Sequence, residues 1–273
     1  VDYTDPAEFN CCGYPLRNIN AQAYILASAR NLAVAGRLGR EIVTFCNCCY
    51  GTLKHVHRLL SENGAVRERA NRTLGKEGLR FDGPVGIHHI LQLLHRRIGL
   101  QSVRERVVRP FQGLRLAVHY GCHLLRPQGV LGGESPFVPT LFDELVEATG
   151  AESVAWNTKL DCCGAPVRGI NDDLSARLMG RKEEGAREAG ADAFCVACSY
   201  CQLQFDRARR MDQGKRVESA ALPSILYTQL LGLAMGMDER ELGLDRNEIR
   251  AAGIRGFLSN APDQAGMEVP AAP

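Results

Sequence analysis

The sequence predicts an α/β fold made of two similar halves, each a small parallel sheet flanked by helices, related to each other by a pseudo-two-fold axis. Three observations carry that expectation. Cysteine groups recur: Cys11-Cys12-Gly13 precedes Cys46-Asn47-Cys48-Cys49, and Cys162-Cys163-Gly164 precedes Cys195-Val196-Ala197-Cys198-Ser199-Tyr200-Cys201, with 33 residues between Cys12 and Cys46 and 34 between Cys163 and Cys198. Short β-prone runs alternate with helical stretches, which is the order of a parallel sheet. Each half also closes on an apolar helix after a Pro-containing segment, Ile90-Leu91-Gln92-Leu93-Leu94 and Tyr227-Thr228-Gln229-Leu230-Leu231.

The elements follow in order. Glu41 to Phe45 is a short strand, followed by the first cysteine loop and a helix over Thr52 to Leu60, where Leu53, Val56, Leu59 and Leu60 share one face. Arg115 to Tyr120 is a strand ending at Gly121-Cys122, and Ser153 to Trp156 is a strand leading to the Cys162 pair. Between them a helix over Pro139 to Thr149 stops at Gly150; after the pair, an amphipathic helix over Asp173 to Ala189 stops at Gly190. Asp192 to Val196 is a strand, and Gln202 to Met211 a helix. The apolar window Ala220 to Met237 carries Pro223, Ser224, Thr228 and Gln229, which makes it a buried helix rather than a bilayer span. The domains are expected at 1–112, 113–246 and, as a surface tail, 247–273.

Composition bounds the function. A formal charge of +2 gives no global reason to expect nucleic acid. The arginine-rich stretches Arg67 to Arg80, Arg104 to Arg109 and Arg207 to Arg210 are interleaved with acids or apolar residues and read as solvated faces. Reduced thiols fit a soluble, cytoplasmic setting, with membrane association only through partners.

Eleven cysteines in 273 residues need an explanation. A disulfide framework is disfavoured by chain length, the odd count and the strain of bridging adjacent cysteines. Zinc accepts C-x-x-C pairs but does not account for vicinal ligands. An iron–sulfur cluster does, because neighbouring thiolates can bind different irons. In parallel sheets the loops at the carboxyl ends of strands gather on one edge, so the cysteine loops are expected to converge there.

Cys122, Cys162-Cys163-Gly164 and Cys198-x-x-Cys201, with 39 residues between Cys122 and Cys162, match the C-x(31 to 39)-C-C-G-x(33 to 36)-C-x-x-C signature of the cysteine-rich CCG domain. With Gly121-Cys122-His123-Leu124-Leu125-Arg126-Pro127 and Cys201-Gln202-Leu203-Gln204-Phe205-Asp206, the chain resembles, over nearly its whole length, the B-type subunit of heterodisulfide reductase and its bacterial relatives. The resemblance implies two [4Fe-4S] clusters of the non-cubane kind facing a shared cavity where a disulfide is split. It assigns Cys122, Cys162, Cys163, Cys198 and Cys201 to the second cluster, and Cys11, Cys12, Cys46 and Cys49 to the first. The leading cysteine of the first set would fall some 30 to 40 residues before Cys11, where this sequence has ten, so the first domain is expected to be N-terminally incomplete or its site degenerate.

Cys195 and Cys48 exceed the pattern. Cys195 is expected to be a packed strand residue, while Cys48 is available as a spare ligand. His123, beside Cys122, is the candidate catalytic group, as a donor to a sulfur or to a leaving thiolate, although a helix cap or packed ring also suits it. His55, His57, His88, His89 and His95 default to core or surface roles. The implied partners are an iron–sulfur C-type subunit, a flavin-containing A-type subunit and a small or protein-bound disulfide of the CoM-S-S-CoB type. The alternative is a CCG electron-transfer or membrane-tethering subunit of a 2-hydroxyacid, glycerol phosphate or succinate dehydrogenase system. The fused C-x-x-C-x-x-C-x-x-x-C-P motif common in those oxidase systems is absent, which favours a dedicated B-type subunit.

Overall fold

The computed structural model describes residues 2–208, 222–249 and 253–259. Strands β1 (Ile42–Thr44) and β2 (Ile87–His89) pair in parallel, and β3 (Arg115–His119), β4 (Glu152–Ser153), β5 (Ala193–Val196) and β6 (Ser224–Leu226) form a second parallel sheet in the order β4-β3-β5-β6. The helices are α1 (Ala21–Leu38), α2 (Asn47–Glu62), α3 (Gly64–Leu74), α4 (Ile90–Gln92), α5 (Leu100–Glu105), α6 (Cys122–Leu125), α7 (Gln128–Leu131), α8 (Leu141–Glu147), α9 (Asp172–Glu188), α10 (Ser199–Leu203) and α11 (Tyr227–Ala234). One core joins the halves: Leu32, Leu60 and Leu91 cluster with Phe142, Ile225 and Leu230, all fully buried.

The repeat seen in the cysteines extends to the backbone. Asn20 caps α1 by accepting from the Ala23 N–H at 3.0 Å, and Asn171 caps α9 by accepting from Leu174 at 2.9 Å. Both helices end on a left-handed glycine, Gly39 at φ 62° and Gly190 at φ 68°, with Arg40 N–H bonded to Ala35 O and Ala191 N–H to Ala186 O. The strand registers repeat as well: Val43 pairs with His88 where Cys195 pairs with Ile225. Gln92 and Gln229 each accept the backbone N–H that opens the closing helix, from His89 and Leu226.

Several elements differ from expectation. β2 and β6 are three-residue, largely buried strands, each with a single partner at the edge of its sheet, too short for an alternating pattern to show. The window read as one buried helix therefore divides, with β6 after Pro223 and α11 beginning at Tyr227; its residues 220 and 221 lie outside the described residues. β4 stops at Ser153, short of Trp156. α10 begins earlier than expected, directly after Cys198, and widens into a π-turn over Gln204–Ala208; the rest of the stretch to Met211 lies outside the described residues. α1 was not expected, although its buried Tyr24, Ser28, Leu32 and Ala35 follow helical spacing.

The stretch read as a surface tail is packed where it is described. Ile254 is 3% exposed, Leu258 bridges Phe111, Gln112 N–H bonds to Phe257 O at 2.7 Å and Ser259 N–H bonds to Pro110 O at 3.0 Å. Apolar Ile254, Phe257 and Leu258 cover the segment that joins the halves. Residues 250–252 and 260–273 lie outside the described residues. No helix among the described residues is long and apolar enough to cross a membrane.

Candidate metal centres

Each cysteine loop is built in the same way. β1 and β5 end just before Cys46 and Cys198, and both residues take extended backbone at the N-cap of the helix that follows, with no side-chain cap. For α2, sixteen residues long, the free N–H groups of the first turn and the positive end of the dipole therefore face the sulfurs.

Gly13 and Gly164, each following a vicinal pair, share a positive φ of 87°. A Cβ at Gly13 would sit 2.9 Å from Tyr24 O, and one at Gly164 2.6 Å from Ser175 O. Only glycine allows the pair to lie this close to α1 and α9. Ser28 Oγ donates to Cys12 O at 2.6 Å and Ser175 Oγ to Gly164 O at 3.0 Å, holding each turn to its helix.

The thiols form one continuous group. In the second half Cys163 Sγ lies 3.5 Å from Cys201 Sγ, Cys162 contacts Cys122 and Cys163, and the Gly164 N–H donates to Cys162 Sγ at 3.4 Å. In the first half Cys12 contacts Cys49 and Cys11, and Cys46 contacts Cys49. The halves meet where Cys46 Sγ lies 3.6 Å from Cys198 Sγ. Cys48 turns toward the second half, 3.9 Å from Cys198 Sγ and 3.6 Å from His123 Nδ1. Cys195 lies fully buried on β5 between β3 and β6, with burial pushing its thiol up.

Packed this closely, the thiols cannot all ionise on their own. Contact with Cys198 and Cys48 holds Cys46 far down while Cys198 and Cys46 push Cys48 up; contact with Cys122 holds Cys162 down at about 2 while Cys162 pushes Cys122 up and Cys163 up to about 12. Ionising the whole set needs several positive charges among the sulfurs, which bound metal provides. A donor set dominated by thiolates, with vicinal members, fits an iron–sulfur cluster better than a single zinc ion.

His123 lies with Nδ1 3.7 Å from Cys122 Sγ and its ring edge-on to Tyr14 at 5.0 Å. Burial lowers its pKa. Sequence reasoning missed His119, at the end of β3, whose ring is fully buried, has neither nitrogen in a hydrogen bond, and lies within 4.8 Å of the Cys163 and Cys201 sulfurs. Its place three residues before Cys122, closing an apolar strand, was the available signal. Lys182 was missed too; it falls on the buried stripe of α9 with Ser175, Met179 and Ala186, where a charge is unusual. His89 is buried, with Nε2 3.1 Å from the Ala197 carbonyl.

This architecture defines a class: two α/β halves, each presenting a vicinal cysteine pair and a C-x-x-C loop to a common seam. Residues 1–54 and 116–206 match the cysteine-rich CCG domain, and over 254 residues the chain is 34% identical to the B-type subunit of the ferredoxin/F420H2-dependent CoB-CoM heterodisulfide reductase of Methanosarcina acetivorans, covering 92% of this chain and 84% of that one. The chain belongs to the family of heterodisulfide reductase B-type subunits, duplicated CCG-domain proteins. It is also 30% identical over 247 residues to the 8-methylmenaquinol:fumarate reductase membrane anchor subunit of Wolinella succinogenes, covering 90% of this chain and 86% of the relative. A hypothetical protein from Helicobacter pylori shares the fold, with a TM-score of 0.65, 16% identity and coverage of 88% of this chain and 44% of that one.

Proposed function

We propose that this chain is the iron–sulfur subunit of a heterodisulfide reductase-like complex that reduces or forms a disulfide at paired non-cubane [4Fe-4S] clusters. Cys11, Cys12, Cys46 and Cys49 would hold one, and Cys122, Cys162, Cys163, Cys198 and Cys201 the other. The observation that supports this best is the meeting of the two thiol groups through the Cys46–Cys198 contact of 3.6 Å. Reducing a disulfide takes two electrons and two protons and yields two thiols, and two one-electron centres at one seam divide that demand evenly. Bound there, the clusters supply single electrons and iron positions open to sulfur.

The protein's own residues orient and protonate. His123 Nδ1 lies beside the Cys48 and Cys122 sulfurs, where the tautomer protonated at that nitrogen would donate to a thiolate leaving the seam. Tyr14, edge-on to Tyr200 at 5.7 Å, covers the same side. Asn47 Nδ2 donates to Tyr120 O at 2.6 Å, fixing the first cysteine loop to the strand that leads to Cys122. Electrons would arrive from an iron–sulfur C-type subunit fed by a flavin-containing A-type subunit, and the substrate would be CoM-S-S-CoB or a related disulfide.

The test is anaerobic turnover: the iron-loaded protein, with a reduced viologen as electron donor, should release free thiols from CoM-S-S-CoB or from another disulfide in a panel. The second reading, an electron-transfer or tethering subunit of a 2-hydroxyacid, glycerol phosphate or succinate dehydrogenase system, draws support from the similarity to the Wolinella anchor subunit. Full iron loading with no thiol release from any disulfide would favour it.

A further inference from the structure

His119 is a buried side chain that the proposed reaction leaves unused, and its place in the fold sets what it can do. It closes β3, paired with Val196 of β5, and strand alternation puts it on the same face as Ala117. Ala117 packs in the cluster that holds Phe194, Phe205, Cys163 and Cys201, so this face of β3 looks toward the second thiol group. The His119 ring is 1% exposed and meets Phe205 edge-on at 5.4 Å, while Phe205 stacks on Phe194 at 4.4 Å. These contacts fix the plane of the imidazole.

Both ring nitrogens are buried and neither makes a hydrogen bond. His89, buried as deeply, uses both of its own: Nδ1 accepts from the Leu91 N–H at 3.3 Å and Nε2 lies 3.1 Å from the Ala197 carbonyl. An imidazole without partners away from water is costly. What faces His119 is sulfur. The ring lines a small cavity with Cys122, Cys163, Cys198 and Cys201, and one nitrogen lies within 4.8 Å of the Cys163 and Cys201 sulfurs, themselves 3.5 Å apart. The Lys159 backbone also comes beside the ring, outside hydrogen-bond geometry. Burial and the nearby Lys182 charge hold the ring neutral, so one nitrogen carries a hydrogen and the other a lone pair. Thiolates attract the N–H and repel the lone pair, and several of them outweigh one backbone dipole, so an ionised site favours the tautomer with its hydrogen on the sulfur side.

We propose that His119 donates a hydrogen bond from its sulfur-facing nitrogen to a sulfur of the second site, and so stabilises the reduced form of the cluster held there. This rests on the reading that the second site holds an iron–sulfur cluster. Reduction adds negative charge that the sulfurs share, so an N–H···S bond strengthens as the electron arrives. Five cysteines are already assigned to iron at this site, and the imidazole acts behind them, as hydrogen-bonding partners behind metal ligands do. His119 touches no substrate atom; it is a positioning residue that acts through the cluster.

The experiment is an anaerobic redox titration of the full, iron-loaded chain with pulsed electron paramagnetic resonance and nitrogen-15-labelled histidine, in the wild type and in His119→Leu, His119→Gln, His123→Gln and Cys201→Ser. The second-site signal is the one that Cys201→Ser removes. In the wild type it should carry a weak histidine nitrogen coupling, of hydrogen-bond strength, that survives His123→Gln and vanishes in His119→Leu. His119→Leu should lower the potential of that signal by about tenfold in its reduction equilibrium, about 59 mV. His119→Gln, which restores an N–H donor, should recover most of the shift, whereas a role in packing alone would favour leucine. A second-site signal with no histidine coupling, a coupling strong enough for an iron–nitrogen bond, or an unmoved potential in iron-loaded His119→Leu would each overturn the proposal. Should His119→Leu lose its iron, the labelled wild type and His123→Gln decide: a coupling that disappears with His123 overturns it. Protein without iron would sink the cluster reading along with it, whereas iron with unmoved potentials sinks this inference alone.

Discussion

Cys46 Sγ lies 3.6 Å from Cys198 Sγ, and these two residues hold the same place in the internal repeat, each capping the helix that follows its strand. Equivalent residues meet in this way when two copies of a fold pack about a two-fold axis. The axis therefore passes through the cysteine seam, and duplication of one domain is what joins two thiol sites. Neither half alone would place two such sites within a sulfur–sulfur contact.

The cysteines should separate by role. Cys163→Ser or Cys201→Ser should strip most of the iron from the second site, because both sulfurs sit in the thiol group, 3.5 Å apart. Cys195→Ala should leave the iron almost unchanged, since Cys195 is fully buried in β5, packed between β3 and β6. Equal iron loss in all three anaerobically prepared variants would contradict the ligand register.

His123→Gln should retain iron while disulfide turnover falls by about 10² to 10⁴, the usual contribution of a positioned proton donor. A parallel loss of iron and turnover would instead make His123 a structural support for the Cys122 loop.

The duplicated turns should be sensitive in both halves. Gly13→Ala and Gly164→Ala place a Cβ at positive φ and against a helix carbonyl, and each should cost roughly 2 to 4 kcal/mol in chemical denaturation. Asn20→Ala and Asn171→Ala, which remove matching helix caps, should cost about 1 kcal/mol each. Glycine variants as stable as the wild type would show that the turns can be rebuilt without glycine.

How much of this was legible in the sequence depended on which signals are local. The duplicated cysteine spacing, the β3 and β5 strands and the α9 helix could be read because each has its own periodicity or cap. β2 and β6 could not, since three buried residues carry no period and their strand character comes from pairing with β1 and β5. Loop geometry decided Cys48: its place in the first cysteine loop suggested the first site, yet the turn into α2 directs its sulfur toward Cys198 and His123. His119 and Lys182 became visible only once β3 and α9 were packed behind the second thiol group. The joining of the two sites depends on contacts between residues some 150 positions apart in the chain, which no short-range pattern encodes.

Everything proposed for this chain depends on the two cysteine groups holding iron–sulfur clusters, and metal analysis of protein purified without oxygen tests that most directly. Brown protein is expected, with iron and acid-labile sulfide in equal amounts, approaching the content of two four-iron clusters per chain, and little zinc. Stoichiometric zinc with neither iron nor sulfide in freshly prepared anaerobic protein would contradict it.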